Sequence, residues 1–369
     1  METIQDIENA LMAPRKREQP VRPEDLLSSG STLLNLAVSG NRRGLYAKGR
    51  YTYVVGDSMS GKTWLVLTAL AEACRNSGFD DYRLIYDDAE DGALMKLEKF
   101  FGAGVAERIE PPAWDESDEE KHSNTIEDFY DNINTALDAA EEEDGQPFVY
   151  ILDSMDSLDS DAARKKDDAN RKKRAAGKEE DQKGTYGDGK AKYNSTNLRR
   201  VRARVQATNS ILIIISQTRD DINPRTFTTK TRSGGKALTF YAHVEFWTAK
   251  GSAEKKEVGG EKHVVANQCA VRVKKNRLSG NEGQVNLTIR KNYGVDDIGD
   301  CIDYLLKTKH WKKSKQSVVA EEFDFEGSRA KLIQMIEEEN MELDLQDLVA
   351  EVWSTIQAKL APKRKKRYG

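Results

Sequence analysis

Eight consecutive residues, Gly56-Asp57-Ser58-Met59-Ser60-Gly61-Lys62-Thr63, have the types and spacing to hold a polyphosphate. Glycines let the backbone curl so that successive N–H groups and a helix N-terminus face the phosphates. Lys62 supplies a point charge for the β- and γ-phosphates, and the Thr63 hydroxyl is a ligand for Mg²⁺. The pattern carries that meaning only between a strand and a helix. Here Tyr51–Val55 is β-prone and Trp64–Ala71 reads as a helix, so a chance Gly/Ser turn is the weaker reading. A nucleoside triphosphate with Mg²⁺ is the expected ligand.

Two further apolar runs end in groups such a site needs. Phe148–Leu152 ends in Asp153, placed at a strand terminus to hold Mg²⁺ through a water. Leu84-Ile85-Tyr86 ends in a crowd of carboxylates, Asp87, Asp88, Glu90 and Asp91. One of them can polarise the attacking water; Glu90 is the best candidate, although spacing alone does not choose. A third run, Ile211–Ile215, ends in Ser216-Gln217-Thr218, where an amide can hydrogen-bond the γ-phosphate. Strand ends that converge on one crevice are expected of an open α/β sheet.

The elements that must position these groups alternate from residue 51 to about 216. Apolar runs at 51–55, 83–86, 148–152 and 211–215 are separated by helical stretches near 62–77, 91–101, 125–140 and 193–208. Strands this continuously apolar predict a parallel sheet covered on both faces. Beyond Gly234-Gly235, the segments Leu238–Ala249, His263–Lys275 and Gln284–Arg290 predict antiparallel strands extending that sheet. The layout expected is an N-terminal helix and arm over 1–30, an α/β core over 31–306, and a small C-terminal helical domain over 307–369. Residues 159–192, with eleven Lys/Arg against eight Asp/Glu, read as a mobile loop, and 307–322 as a polar linker carrying Trp311.

The chain has 369 residues, 38% hydrophobic and 33% charged, so it can bury one large core while leaving charged segments solvated. A net charge of −4 excludes a globally basic nucleic-acid binder, so such contacts must come from local patches. Cys74, Cys269 and Cys301 are too scattered for a metal cluster or a disulfide framework, and the four histidines form no group. The opening residues Met1–Asp6 lack an apolar signal core, and the sequence contains no run long enough to span a bilayer. These features predict a soluble cytoplasmic protein without membrane contact.

The order of phosphate loop, Asp88-Ala89-Glu90, strand-Asp153-Ser154, strand-Ser216-Gln217 and Ser233-Gly234-Gly235-Lys236-Ala237-Leu238 resembles the RecA recombinase family. It is especially similar to the divergent forms carried by phages and prophages, which implies a bacterial or phage-infected cytoplasm. The resemblance covers about residues 30–306. It implies a RecA-like P-loop ATPase fold that binds ATP and Mg²⁺, hydrolyses ATP on DNA, and forms filaments on single-stranded DNA for pairing with homologous duplex. Lys62 and Thr63 would bind phosphate and metal, Glu90 would be the base, Asp153 the metal-side carboxylate and Gln217 the γ-phosphate sensor. Lys275 and Arg277 would reach the triphosphate of the adjacent subunit, and Phe240 would be an interface aromatic, with core packing as its equal alternative. Arg225, Phe227, Lys230 and Arg232, in a second DNA loop over 219–233, would contact DNA with the flanking Gly234 and Gly235, as would Lys172, Lys173 and Arg174 in a first DNA loop over 159–192.

The sequence also departs from the family. The adenine-stacking tyrosine falls near Leu97, and the acidic tail is replaced by basic Lys363–Arg367. A ring-forming RecA-like motor or helicase, and an ATP-gated accessory DNA-binding protein, are the alternatives.

Overall fold

A computed structural model describes residues 21–90, 97–176, 190–220, 230–232, 235–314 and 317–365, with backbone alone at 219–220 and 230–232. Its main sheet has ten described strands: β1 Arg50–Gly56, β2 Arg83–Asp88, β3 Ile109–Glu110, β4 Phe148–Asp153, β5 Ile211–Asp220, β6 Lys230–Arg232, β7 Val244–Val258, β8 Glu261–Asn276, β9 Gln284–Arg290 and β10 Gly294–Val295. The order across it is β10-β9-β8-β7-β1-β5-β4-β2-β3, with β6 paired to β5. The helices are α1 Thr32–Ser39, α2 Lys62–Cys74, α3 Leu97–Phe101, α4 Ala103–Arg108, α5 Ile126–Ala140, α6 Asp161–Ala175, α7 Lys190–Ala207, α8 Lys236–Tyr241, α9 Asp297–Lys307, α10 Arg329–Glu338 and α11 Glu342–Leu360.

Alternation of side chains along each strand explains why the central runs are apolar throughout. In β1, Tyr51, Tyr53 and Val55 enter one buried cluster with Leu198 and Val201 of α7, whereas Val54 enters the other with Leu65 and Leu70 of α2. In β5, Leu212 and Ile214 face the first cluster while Ile211, Ile213 and Ile215 face the second. Strands β2, β4, β5 and β1 are parallel, as expected.

Several expectations change. Residues 238–249 are not one strand: Gly235, with φ of 84°, starts α8, and the extended chain begins only at Val244. A Cβ on Gly235 would lie 2.8 Å from the Ala191 Cβ of α7, so the helix start needs glycine there. Because α8 is a crossover, β7 returns to the free edge of β1 in parallel, Val244 opposite Thr52 through Thr248 opposite Gly56. The antiparallel extension therefore starts with β8 and continues through β9 and β10.

The segment 159–192, expected as a loop, contains all of α6 and the start of α7. Ser160 caps α6 by accepting from the Ala163 N–H, while Asp161 in the first turn and Lys172, Lys173 and Arg174 in the last complement the helix dipole. It buries no residue, which is why hydrophobic patterning missed it. Residues 177–189 lie outside the described residues.

Trp311 is not on a solvated linker. It is 3% exposed, packs edge-on to Phe323, and donates its indole N–H to Glu322 within a small antiparallel sheet over 312–327. Nor do the C-terminal helices keep a core of their own. Leu332, Ile336, Leu345, Val349 and Val352 join the same apolar cluster as Leu34, Val38, Ile302 and Leu305. At the other end, Leu26 and Leu27 pair with Tyr46–Ala47 and are buried, so the chain enters the core before residue 30. The helix expected over the first residues lies outside the described residues.

Candidate nucleotide site

The phosphate loop leaves the carboxyl end of β1 and enters α2 at Lys62. Its curl depends on Gly61, at φ of 91°, and on Gly56, where a Cβ would sit 2.0 Å from Thr248 Oγ1. Ser60 is buried and holds the loop from inside, with its Oγ 2.7 Å from the Asp57 carbonyl and 2.6 Å from Thr248 Oγ1. Ser58 and Met59 are exposed, Met59 at 81%.

Lys62 folds back over the loop and donates to the carbonyls of Gly56 at 3.1 Å and Asp57 at 2.8 Å. Burial pulls its pKa down, opposed by Asp153, Glu90, Asp156 and Asp57. Thr63 donates its hydroxyl to Asp153 Oδ2 at 2.7 Å, and the Tyr86 hydroxyl donates to the same oxygen at 3.1 Å. Asp153 is 3% exposed; burial pushes its pKa up to about 6, against the hydrogen bonds from Thr63 and Tyr86. The loop, the threonine and the strand-end carboxylate thus meet.

The crowded end of β2 resolves into separate roles. Asp87 is fully buried and accepts from the Ser123 N–H at 2.8 Å, the Ser123 hydroxyl at 2.6 Å and the Tyr150 hydroxyl at 2.7 Å. It faces the interior and ties β2 to β4 and to the start of α5. The Asp88 N–H donates to His122 Nδ1 at 3.1 Å. Glu90 is exposed to the crevice, where its Oε1 accepts from the Ser154 hydroxyl and from Gln217 Nε2, the latter at 2.7 Å. Asp91 lies outside the described residues.

Gln217 reaches Glu90 because β5 pairs with β1, placing Gln217 opposite Gly56. Its backbone N–H donates to Asp156 Oδ2 at 2.6 Å, and the Ser216 hydroxyl donates to the same atom. Asp156 and Tyr86 were missed from sequence. Asp156 sits three positions past a strand end, in a turn where a carboxylate has no distinctive spacing. Tyr86 reads as one more apolar strand residue.

Lys275 lies on β8 and Arg277 follows directly after that strand. Glu245 stands opposite Lys275 on β8 and opposite Tyr53 on β1, so Lys275 aligns with the middle of the strand whose carboxyl end carries the phosphate loop, and Arg277 lies two residues farther from that loop. Lys275 Nζ donates to the carbonyls of Thr239 at 2.6 Å and Phe240 at 2.9 Å, at the end of α8. Burial and then the Arg277 charge bring its pKa down to about 8. Burial, then the Arg50, Arg202, Arg277 and Lys275 charges, hold His243 neutral, with a pKa pushed down to about 3. Arg277 is exposed.

Phe240 is 63% exposed, which removes core packing as its role. With Ala191, Ser195, Lys236, Ala237 and Tyr241 it lines an open groove of about 450 Å³ between α7 and α8. Leu97 begins α3, whose Phe100 and Phe101 pack against Trp64, with ring centroids 5.0 and 5.9 Å away. Lys172, Lys173 and Arg174 form the last turn of α6. The backbones of Lys230 and Arg232 lie on β6; Arg225, Phe227 and Gly234 are outside the described residues. Among the described residues, no cluster of three or more His, Cys, Asp or Glu forms a metal site, and no helix is long and apolar enough to cross a membrane.

A phosphate loop between strand and helix, with carboxylates and an amide at the ends of neighbouring parallel strands, defines a RecA-like P-loop α/β core. The family model of the RecA N-terminal domain matches residues 172–296. Protein RecA of Nitrobacter winogradskyi is 27% identical over 294 residues, covering 79% of this chain and 69% of its own. Protein RecA of Gluconacetobacter polyoxogenes is 27% identical over 307 residues, covering 81% and 75%. Protein RecA of Bartonella henselae is 28% identical over 312 residues, covering 83% and 76%. The chain is thus similar to RecA proteins over about four fifths of its length.

Proposed function

We propose that the protein is an ATP- and single-stranded-DNA-dependent recombinase that assembles into filaments and pairs the bound strand with homologous duplex. The observation that carries this reading is the meeting of Lys62, Thr63–Asp153 and Glu90–Gln217 in one crevice. Each group has a distinct task in phosphoryl transfer to water.

Lys62 exchanges its loop carbonyls for the β/γ-phosphates. Thr63 and Asp153, 2.7 Å apart, would hold Mg²⁺ with few protein ligands, which suits an ion that keeps waters and phosphate oxygens in its shell. That ion supplies neutralisation of charge on the β- and γ-oxygens. Glu90 accepts a proton from, or orients, the attacking water at its exposed carboxylate. Gln217, now donating to Glu90, transfers that donor to the γ-phosphate. Lys275 aligns three positions before Gly56 and donates to the end of α8 and not toward its own chain's loop, with Arg277 two residues farther along. They fit a neighbour's triphosphate, as a trans finger does. Phe240, exposed beside them, belongs to the same subunit contact. Arg225, Phe227, Lys230, Arg232, Gly234 and Gly235, with Lys172, Lys173 and Arg174, are the proposed DNA contacts, and the basic tail from Lys363 adds non-specific attraction.

Negative-stain imaging with single-stranded DNA and a non-hydrolysable ATP analogue tests the reading. Helical filaments are expected; closed rings indicate a motor instead, and isolated particles an accessory binding module.

A further inference from the structure

Thr218 faces two structures at once. Gly56 and Gln217 are the last positions paired between β1 and β5, so Asp57 and Thr218 follow directly after that pair. The Thr218 hydroxyl donates to Asp57 Oδ1. The Thr218 backbone pairs with Arg232, and its successors Arg219 and Asp220 pair with Thr231 and Lys230, forming the β5–β6 hairpin. One hydrogen bond therefore joins the phosphate loop to the base of a hairpin carrying basic residues. The chain separation across it is 161 residues, so no local constraint imposes it.

Asp57 is placed to respond to nucleotide. Its carbonyl accepts from Lys62 Nζ at 2.8 Å and from Ser60 Oγ at 2.7 Å. When Lys62 turns to phosphate it leaves that carbonyl, while the incoming negative charge acts on the Asp57 carboxylate. Both changes act on the acceptor of Thr218. A hydrogen bond to an ionised acceptor is among the stronger ones, so its geometry is worth preserving or breaking as a unit.

We propose that the Asp57–Thr218 hydrogen bond couples nucleotide occupancy of the phosphate loop to the β5–β6 hairpin, with Thr218 as a positioning residue. This is a route separate from the Gln217 amide, which points to Glu90. It rests on reading the hairpin as part of the DNA site. Coupling between two ligands is reciprocal: nucleotide changes DNA affinity by the same factor as DNA changes nucleotide affinity.

The test uses the full chain and fluorescence anisotropy. Affinity for a single-stranded oligonucleotide is measured with and without a non-hydrolysable ATP analogue, and affinity for a fluorescent ATP analogue with and without the oligonucleotide. Thr218→Val removes the donor at nearly constant shape, and Thr218→Ser keeps it. Thr218→Val is expected to keep each affinity alone within about twofold and to cut the mutual enhancement about fivefold or more, equally in both directions. Thr218→Ser restores it. If the valine variant does not fold, Thr218→Ala is compared with Thr218→Ser instead. Equal enhancement with and without the hydroxyl overturns the link. So does a wild type that binds both ligands without mutual effect, although its two sites would stand. A wild type that binds neither ligand overturns the functional reading itself and the link with it.

Discussion

The placement of Lys275 and Arg277 gives the sharpest test of how the site works. Lys275 is aligned through Glu245 with Tyr53, three positions before Gly56 on β1, which puts it roughly 10 Å behind the phosphate loop at ~3.3 Å per residue. Its ammonium is directed to the carbonyls at the end of α8 and not toward the loop. A chain carrying Lys62→Ala loses its own phosphate grip, and one carrying Lys275→Ala with Arg277→Ala loses the groups offered to its neighbour. Each alone should lose turnover by about 10³-fold or more, the scale of a missing trans cation. Mixed equally before DNA and ATP are added, the two chains meet at random in a head-to-tail contact. About one interface in four then pairs an intact loop with an intact basic pair, so about a quarter of wild-type turnover returns. Steady-state phosphate release on single-stranded DNA reads this directly, with each variant mixed into wild type as the control. A mixture as inactive as its parents, from variants that still assemble together, refutes the trans arrangement. Wild-type turnover by Lys275→Ala with Arg277→Ala alone refutes any catalytic use of the pair.

Other outcomes follow from the same geometry. Glu90→Gln keeps the hydrogen-bonding shape at Ser154 and Gln217 but removes the base, so hydrolysis should fall at least about a hundredfold while nucleotide stays bound in the assembled state; quench-flow with a nucleotide-retention assay checks both. Lys275, with a pKa brought down to about 8, loses its charge as pH rises through that value, so DNA-dependent turnover should decline above pH 8. Lys275→Arg, which stays protonated, should flatten that alkaline limb of the pH–rate profile. Burial raises Asp300 to about 7 although it accepts from the Thr288 N–H and hydroxyl. The folded state then binds more protons than the unfolded chain from about pH 4 to 7, and stability falls as pH rises through that window, by roughly 4 kcal/mol at most. Asp300→Asn should flatten that slope in urea melts taken at several pH values.

Sequence reading failed where burial and local pattern part company. The patterns that reveal helices and strands are patterns of burial, and α6 buries nothing, so its fifteen charged and small residues resembled a solvated loop. Trp311 failed in the opposite way. It lies in a polar stretch, and only Phe323, Glu322 and the core it joins make it an interior residue. The start of the 238–249 segment is apolar enough for a strand; α8 forms there because Gly235 opens a tight approach to Ala191 of α7, a contact with no local signature.

The phosphate loop itself was legible because its information is local. Glycines at 56 and 61, a lysine and a threonine specify a backbone curl and the start of α2 within eight residues. The order of strands carrying Asp153, Glu90 and Gln217 was legible for a related reason, since each ends a continuous apolar run. Tertiary structure decided which carboxylate faces the crevice. Asp87 is claimed by Ser123 and Tyr150, 36 and 63 positions away, and Glu90 is left to Gln217, 127 positions away. It also decided that Lys275 and Arg277 lie behind the phosphate loop and not beside it, because β7 returns parallel to β1 and β8 runs back against it. Composition and spacing name the groups a site can use; only the register of strands distant in the chain determines which of them share one crevice.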